Sequence, residues 1–284
     1  MIDGAIAIGP LPDQRAESLS ERQPATALAR KIFDWTDQAR FAHLSGDTNP
    51  IHMDVAAASR AGFFAPIVHG VHVVLWALEA LSLDENFAPS SLRASFLVPI
   101  HLGEAVAATL KHRSGSTFRL DITAGDTVAA VLMLNLPSGN RAPLAPGNHV
   151  YSADWPAFAI ELDLEAMKSQ RGAIRFAHPA EYTAAAFPLV SRSISPGRVA
   201  TMIALSRLVG MICPGRYSIL KSFTLDFIER ADDGGVLRYA MFDVNERFRV
   251  VRLGVSGPGT TGEVAAVVRH AQDHPAPEAR DQGS

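Results

Sequence analysis

The segment GVHVVLWALEAL, residues 70–81, is an apolar stretch with the length of a helix of about three turns, and the strand-like segment SLRASFL follows it at residues 91–97. The same order recurs in the second half of the chain, where an apolar helical stretch at residues 197–211 precedes SILKSFTL at residues 218–225. The period is about 130 residues, which is too long for a solenoid and suits two copies of one small domain. The pattern therefore predicts a tandem repeat.

Further strand-like runs follow in each half. In the first half, residues 118–122 and 128–136 flank a Gly-Asp pair, and in the second half residues 250–255 and 264–269 flank a glycine-rich turn that ends at Gly262. Short β-branched runs between glycine turns indicate antiparallel strands. Because a long apolar helix precedes the strands, we expect a curved sheet that wraps around the helix, which is an α+β fold.

Composition divides the chain into five segments. Residues 1–27 are rich in Pro, Gln, Arg and Ser and are predicted to form a flexible arm, and residues 271–284 are predicted to form a polar tail. A Pro/Gly-rich linker is expected at residues 138–150. The two predicted units are therefore residues 28–137 and residues 151–270.

The overall composition excludes several classes of protein. The 284 residues are 48% hydrophobic and 19% charged, which is a globular composition, and the net charge of -3 gives no basic excess for nucleic acid. A single cysteine, Cys213, rules out a disulfide framework within the chain. No apolar run reaches about 18 residues and no signal peptide is predicted at the start. We expect a cytoplasmic protein without nucleic-acid or membrane partners.

The segment most informative about chemistry is FAHLSGDTNPIHMDVAAASRAGFFAPIVHG, residues 41–70. Asp47, Asn49 and His52 lie within six residues around Pro50, which prevents a continuous helix. A carboxylate and an imidazole this close can hold one water between them, so that the carboxylate accepts a proton while the imidazole supplies one. The pattern predicts general acid/base chemistry.

Gly70, at the expected start of a helix, adds a third element. A glycine there exposes backbone N–H groups without a side chain, and the helix dipole contributes partial positive charge. Such a position stabilises a carbonyl oxygen that gains charge as an enolate forms.

The pattern Ser45-Gly46-Asp47-x-Asn49-Pro50-Ile51-His52-x-Asp54, with Gly62-Phe63 and then Ile67-Val68-His69-Gly70, resembles the hydratase motif of the MaoC-like family of (R)-specific enoyl-CoA hydratases. The resemblance implies a tandem (double) hotdog fold, in which each unit is a long helix wrapped by a curved antiparallel sheet. It also implies a hydro-lyase, a hydratase or dehydratase, that reversibly converts a trans-2-enoyl thioester into an (R)-3-hydroxyacyl thioester.

The resemblance further implies roles for single residues. Asp47 and His52 would be the catalytic dyad, Asn49 would support it, and the backbone N–H of Gly70 would hold the thioester carbonyl oxygen. Substrate contacts are expected from three neighbouring residues, Ile67, Val68 and His69.

The second half lacks this motif, so we expect one catalytic unit and one degenerate unit. Its closest feature, residues 206–215, is interpreted as different chemistry. In some hotdog hydratases a serine of the central helix supports the catalytic aspartate. The corresponding position here is Leu78, so that support either comes from elsewhere or is missing.

Structural explanations compete with these roles. Taken singly, Asp47 would be a helix cap and His52 a core residue, and only the whole motif favours catalysis. Asn49 is explained equally well as a turn former. The i, i+3 spacing of His69 and His72 suggests a metal, but no further ligand is in register, so no metal is expected.

Other features of the sequence carry little functional weight. The G-x-G-x-x-G match at residues 257–262 lacks the following helix and strand of a dinucleotide site and is interpreted as a hairpin turn. Several cations could meet substrate phosphates, but a solvated surface explains each of them as well: Arg93, Lys111, Arg113 and Lys221.

Two alternative functions stay open at this stage. One is a hydro-lyase acting on a polar or branched dicarboxylic acyl-CoA, and the other is a non-catalytic, acyl-thioester-binding subunit of a hetero-oligomer. No cofactor is expected, since CoA or a carrier-protein thioester would enter as substrate. The sequence does not decide whether two chains form a homodimer.

Overall fold

The computed structural model of the chain describes residues 25–81, 89–137, 157–176, 178, 180–228 and 235–269. The predicted linker and tail lie outside these residues, as does the predicted arm up to residue 24. The last two residues of that arm, Thr26 and Ala27, belong to the first strand, which corrects the expected boundary at residue 28.

The first unit contains five strands and four helices. In chain order they are β1 (Thr26–Ile32), α1 (Trp35–Ser45), α2 (Pro50–Met53), α3 (Val55–Arg60), α4 (Gly70–Leu81), β2 (Ser91–Phe96), β3 (Ala105–Ser114), β4 (Thr117–Ala124) and β5 (Thr127–Asn135).

The second unit also contributes five strands and four helices within the described residues. They are α5 (Leu164–Lys168), β6 (Arg171–Arg175), α6 (Ala180–Ala186), α7 (Pro188–Ser193), α8 (Pro196–Arg207), β7 (Ser218–Phe227), β8 (Val236–Asn245), β9 (Val250–Gly257) and β10 (Thr260–Val268). A π-helical turn, Leu208–Ile212, directly follows α8.

All ten strands form one antiparallel sheet, in the order β1-β3-β4-β5-β2-β7-β10-β9-β8-β6. Outward from its centre, the two halves run β2-β5-β4-β3-β1 and β7-β10-β9-β8-β6, which is the same topology twice. The central strands β2 and β7 join the halves by pairing Ala94 with Phe223 and Ser95 with Ser222. The tandem repeat and the α+β class predicted from the sequence are confirmed.

The two long helices, α4 and α8, pack against each other and against strands of the sheet. In α4, Val71, Val74, Leu75 and Leu78 are completely buried, as expected for a helix that is apolar on all sides. The buried apolar side chains of both units form one continuous cluster, so the units share a core. Within the described residues, no helix has the length and apolar character needed to cross a membrane.

The helix expected at residues 70–81 is confirmed, whereas the one expected at residues 197–211 changes character before its end. From Leu208 onward the helix widens, and the N–H of Cys213 donates to the carbonyl of Leu208 five residues back, at 2.7 Å. The predicted glycine turn is also shorter than expected, because Gly262 lies inside β10. A side chain there would collide with the carbonyl of Thr224 on β7.

Candidate active site

The loop that carries Asp47 is fixed by the ends of two helices. Helix α1 ends at Gly46, whose φ of 70° is the left-handed conformation that glycine adopts readily. Helix α2 starts at Pro50, and the side chain of Asn49 caps it by accepting the N–H of Ile51 at 3.2 Å. The predicted interruption by Pro50 is confirmed, and it presents Asp47, Asn49 and His52 from a compact turn.

Asp47 is a buried carboxylate, 1% exposed, whose two oxygens have different partners. Oδ1 accepts the N–H of Asn49 at 3.2 Å, and Oδ2 accepts the hydroxyl of Ser206 at 2.7 Å. Oδ2 also lies 3.9 Å from Nε2 of His52. Burial raises the pKa of Asp47, because desolvation outweighs the opposing effects of His52 and the two hydrogen bonds.

His52 is held in a single orientation by the main chain. Its Nδ1 lies 2.8 Å from the carbonyl oxygen of Ile67, and a carbonyl only accepts, so Nδ1 carries the proton and donates. Nε2 is therefore the nitrogen that faces Asp47 and the cavity described below. The side-chain amide of Gln38 secures this arrangement by donating to the carbonyls of His52 and Ile67 at 2.9 and 2.8 Å.

His69 lies behind the dyad and is fully buried. Its ring stacks on that of His52 with centroids 3.9 Å apart, and its Nε2 lies 3.0 Å from the carbonyl oxygen of Asp47. Burial lowers the pKa of His69 well below its usual value, so the ring is neutral. His69 is not part of the wall of the cavity described below, whereas Ile67 and Val68 are, so its expected contact with substrate stays a prediction.

The second unit supplies the partners of Asp47 and Asn49. Ser206 lies on α8, and the side-chain amide of Asn49 donates to the carbonyls of Gly210 and Arg216 at 2.7 and 3.1 Å. The interpretation of residues 206–215 as unrelated chemistry is therefore wrong, because this segment completes the site. The serine absent at Leu78 is replaced by Ser206 of the other unit.

The side chains of both units enclose a cavity of about 270 Å³, which we call the dyad cavity. Its polar lining residues are Asp47, His52, Ser206, Ser218 and Lys221. Gly70 also lines it and is the first residue of α4, where a backbone N–H has no partner within the helix. Of the three predicted substrate contacts, Ile67 and Val68 line this cavity.

The remaining wall of the dyad cavity is mainly apolar. It includes Val73 and Phe96 of the first unit and Val209 and Leu220 of the second. Phe96 closely approaches Gly70, since a Cβ on Gly70 would lie 2.9 Å from the Phe96 ring. A side chain at residue 70 would therefore require the Phe96 ring to shift.

Gly210 in the π-helical turn lies directly against Asp47. A Cβ at this position would lie 2.8 Å from Cγ and from Oδ2 of Asp47, closer than real Cβ atoms come, and it would meet Oδ1 as well. Gly210 does not have positive φ, so its backbone would accept alanine. The need for glycine therefore comes from the space that the carboxylate occupies.

Asp47, His52 and His69 are the one group of potential metal ligands within the described part of the chain, with ligand atoms within 4.8 Å of one another. In its neutral ring, however, His69 makes the 3.0 Å contact with the Asp47 carbonyl only if Nε2 carries the proton, which leaves no lone pair there. The group then offers two ligands, fewer than the three that catalytic zinc sites use.

We expect the protein's activity to survive prolonged dialysis against a chelator. A loss of activity that a divalent cation restores would contradict this expectation.

The raised pKa of Asp47 predicts how the stability of the protein depends on pH. The pKa of Asp47 in the folded chain lies above its ordinary value of 3.8, so between these two pKa values the folded chain binds more protons than the unfolded chain. The free energy of unfolding therefore falls as pH rises through this range. Asp47→Asn removes this effect. The melting temperature of the variant should therefore increasingly exceed that of the wild type as pH rises, measured at constant ionic strength. A constant difference would contradict the raised pKa.

Two helix-wrapping antiparallel units that share one sheet define a double-hotdog protein. A Mycobacterium tuberculosis protein described as having a double hotdog fold superposes with a TM-score of 0.52, covering 89% of this chain and 97% of its own, at 12% identity. That likeness concerns the fold alone and confirms the expected architecture.

Comparison of sequences then gives the family. The model described as MaoC like domain matches residues 15–131, which include the whole segment from Asp47 to Gly70. The (R)-specific enoyl-CoA hydratase of Aeromonas caviae is 34% identical over 101 residues, which are 34% of this chain and 72% of that enzyme. The chain belongs to the MaoC-like family, as its motif predicted.

A second relative is much longer than the matched region. The peroxisomal enoyl-CoA hydratase 2 of Arabidopsis thaliana is 32% identical over 95 residues, which are 32% of this chain and 30% of that protein. The similarity therefore spans less than a third of the plant protein's length.

Proposed function

We propose that the protein catalyses the reversible addition of water to a 2-enoyl thioester, giving a 3-hydroxyacyl thioester. The observation that carries this proposal is that Asp47 and His52, 3.9 Å apart, line one cavity together with Gly70, the first residue of α4. The membership of the MaoC-like family and the similarity to named enoyl-CoA hydratases support it.

In this mechanism one water lies between Asp47 Oδ2 and His52 Nε2, which are 3.9 Å apart and can both reach it. Asp47 accepts a proton from the water, whose oxygen attacks C3 of the enoyl group. His52, which in this step carries a proton on both ring nitrogens, delivers the proton of Nε2 to C2. Transfer of the proton from Asp47 to Nε2 of His52 then restores both groups for the next cycle. Both groups approach the double bond from one side, so the addition is syn, and the family resemblance favours the (R) product.

The Gly70 N–H would stabilise the transition state. Negative charge develops on the thioester oxygen as an enolate forms, and a preorganised backbone donor at a helix N-terminus lowers the energy of that charge. The donor has no side chain in front of it because residue 70 is glycine.

The proposal is tested with purified protein and a panel of enoyl-CoA thioesters, starting from crotonyl-CoA. We expect loss of the conjugated enoyl absorbance and formation of the 3-hydroxyacyl product, together with the reverse reaction from the (R)-hydroxy compound alone. Folded protein that turns over none of the panel would overturn the proposal. In that case the non-catalytic subunit becomes the better explanation, and the native mass with candidate partners would test it.

A polar acyl group is a second candidate for the substrate. Lys221 lines the otherwise mainly apolar dyad cavity, and its ammonium group could pair with a terminal carboxylate. A higher kcat/KM for a dicarboxylic acyl-CoA than for a monocarboxylic one of equal length, reversed in Lys221→Met, would favour this substrate.

Ser206→Ala should lower activity and shift its pH dependence. A hydrogen bond to a charged group contributes about 1.5–3 kcal/mol, so losing the Ser206 hydroxyl raises the pKa of Asp47 further and reduces kcat/KM about tenfold at neutral pH. The acidic limb of the pH profile should move to higher pH. Ser193→Ala, at a serine outside the cavity, is the control, and a Ser206→Ala profile like that of the wild type would contradict the role.

A further inference from the structure

Gln38 is a fully buried polar side chain on α1, outside the motif at residues 45–70. Its Nε2 donates both of its hydrogens, to the carbonyls of His52 at 2.9 Å and Ile67 at 2.8 Å. Its Oε1 lies 3.3 Å from Nδ1 of His69. One side chain of α1 therefore contacts both α2 and the loop that precedes α4.

The two N–H bonds determine how the amide of Gln38 is oriented. The reversed amide would place Oε1 against two carbonyl oxygens, which accept and cannot donate, so Nε2 must face His52 and Ile67. The contact with His69 contributes less. The proton of that neutral ring is on Nε2, so Nδ1 and the Gln38 Oε1 are both acceptors. Gln38 thus acts mainly through the two carbonyls.

The carbonyl oxygen of Ile67 links Gln38 to the dyad. It accepts one hydrogen from Nε2 of Gln38 and one from Nδ1 of His52, each at 2.8 Å. A carbonyl oxygen has two lone pairs, so both donors are satisfied. The other bond from Gln38, to the carbonyl of His52 itself, fixes the main chain that carries the ring. Gln38 therefore fixes the position of the His52 main chain relative to the acceptor that orients its ring.

We propose that Gln38 is a positioning residue for the reaction and acts through His52, by holding the Ile67 carbonyl against Nδ1 of that ring. The role rests on the proposed function, because it affects the rate only if His52 transfers a proton at Nε2. Gln38 does not line the dyad cavity, so it acts without touching substrate. A reacting group misplaced by about 1 Å can cost about 10²-fold in rate, so the effect of Gln38 should fall on kcat.

The first test is steady-state hydration of crotonyl-CoA by Gln38→Met, which removes both donors but keeps an unbranched side chain of similar size. We expect kcat to fall about tenfold or more, whereas KM stays within about twofold because the cavity wall is unchanged. An unchanged kcat would overturn the proposal.

Thr201→Val on α8 is the matched control for the loss of a buried hydrogen bond. The Thr201 hydroxyl is fully buried, donates to the Gly197 carbonyl at 2.9 Å and lies outside the dyad cavity. The melting temperature should fall by about 5 °C in this variant and in Gln38→Met. Only Gln38→Met should lose kcat. An equal loss in Thr201→Val would show that reduced stability, rather than positioning, lowers the rate.

A double-mutant cycle with His52→Gln distinguishes positioning of the ring from general support of the fold. If Gln38 acts through the His52 ring, its substitution has no further effect once the ring is absent. The double variant should therefore keep the residual kcat of His52→Gln. Losses that multiply would contradict the proposed role.

Exchange of the His52 Nδ1–H proton with solvent measures the same positioning without any turnover. In spectra of protein labelled with ¹⁵N-histidine, the exchange rate should rise about tenfold in Gln38→Met and stay unchanged in Thr201→Val. If this result is found but no enoyl thioester reacts, the proposed function fails and the positioning of His52 stands. If thioesters react while kcat and exchange are unchanged in Gln38→Met, the positioning role alone fails.

A measurement on the wild type applies even if Gln38→Met does not fold. The side-chain amide protons of Gln38 should exchange with solvent about 10²-fold or more slowly than those of Gln170, whose bond to the Ala166 carbonyl is at the surface. Slow exchange supports the two buried bonds. Equal rates would show that these bonds do not hold the carbonyls, and the proposal would be wrong.

Discussion

Replacement of Asp47 by asparagine should reduce kcat/KM for hydration by about two orders of magnitude or more, and His52→Gln should do the same. Asparagine occupies the same space and still accepts the Ser206 hydroxyl, but it cannot take a proton from water. Glutamine at position 52 lacks a nitrogen that can deliver a proton to C2. The measurement is steady-state hydration of crotonyl-CoA over a range of pH.

Both variants should stay folded, which separates chemistry from stability. Asp47→Asn removes a buried carboxyl group whose pKa is raised by desolvation. The melting temperature of this variant should therefore equal or exceed that of the wild type near neutral pH. Matched controls are Asp121→Asn and His72→Gln, because these residues are also buried but lie outside the dyad cavity. Wild-type rates in both dyad variants would eliminate the proposed acid/base pair.

Gly210→Ala should lower kcat by about 10²-fold although it alters no group that takes part in the reaction. The added Cβ would lie 2.8 Å from Oδ2 of Asp47, so the carboxylate or the π-helical turn must move. Misplacement of a reacting group by about 1 Å can cost about 10²-fold in rate. The movement also strains the 2.7 Å hydrogen bond from Asn49 to the Gly210 carbonyl.

The backbone conformation of Gly210 and a control variant separate a collision with Asp47 from an effect on the backbone. Gly210 does not have positive φ, and alanine is a better helix former than glycine, so the variant should fold. Gly254→Ala on β9 is the control, because a Cβ there meets its nearest atoms at 3.9 Å. A Gly210→Ala protein with unchanged kcat would show that Asp47 does not work from the position described.

The local part of the site was predictable because its residues are close in the sequence. Asp47, Asn49, Pro50 and His52 lie within one turn whose backbone is set by a glycine and a proline, so the sequence alone indicates their proximity. Gly70 was predictable for a similar reason, since the start of an apolar helix is visible in the sequence.

The contribution of the second unit was not predictable in this way. Ser206 meets Asp47 across 159 positions in the sequence, in a segment without a recognisable motif. The pairing of β2 with β7 and the packing of α8 against α1 and α4 bring them together. The burial of His69 was not predictable either, because a loop has no periodicity from which to predict which way its side chain points.

The strands also divide into those that were predictable from the sequence and those that were not. The runs that became β2, β4, β5, β7, β9 and β10 were predicted, as they combine β-branched or apolar residues with nearby glycine turns. Four strands were missed, and they lie in the outer half of each unit: β1, β3, β6 and β8. Their exposed positions carry charged side chains such as Lys111 and Arg238, which weaken the apolar pattern.

The identical strand order of the two halves has a consequence for how the site can change over generations. In a pair of identical chains, every substitution appears twice, once in each half. Here the halves are encoded separately, so a change beside Ser206 or Gly210 leaves the counterpart of that position, on the first unit's helix, untouched. Each half can therefore change independently. The first unit keeps the acid and the base, while substitutions in the second unit can alter the cavity wall and the residues that support them.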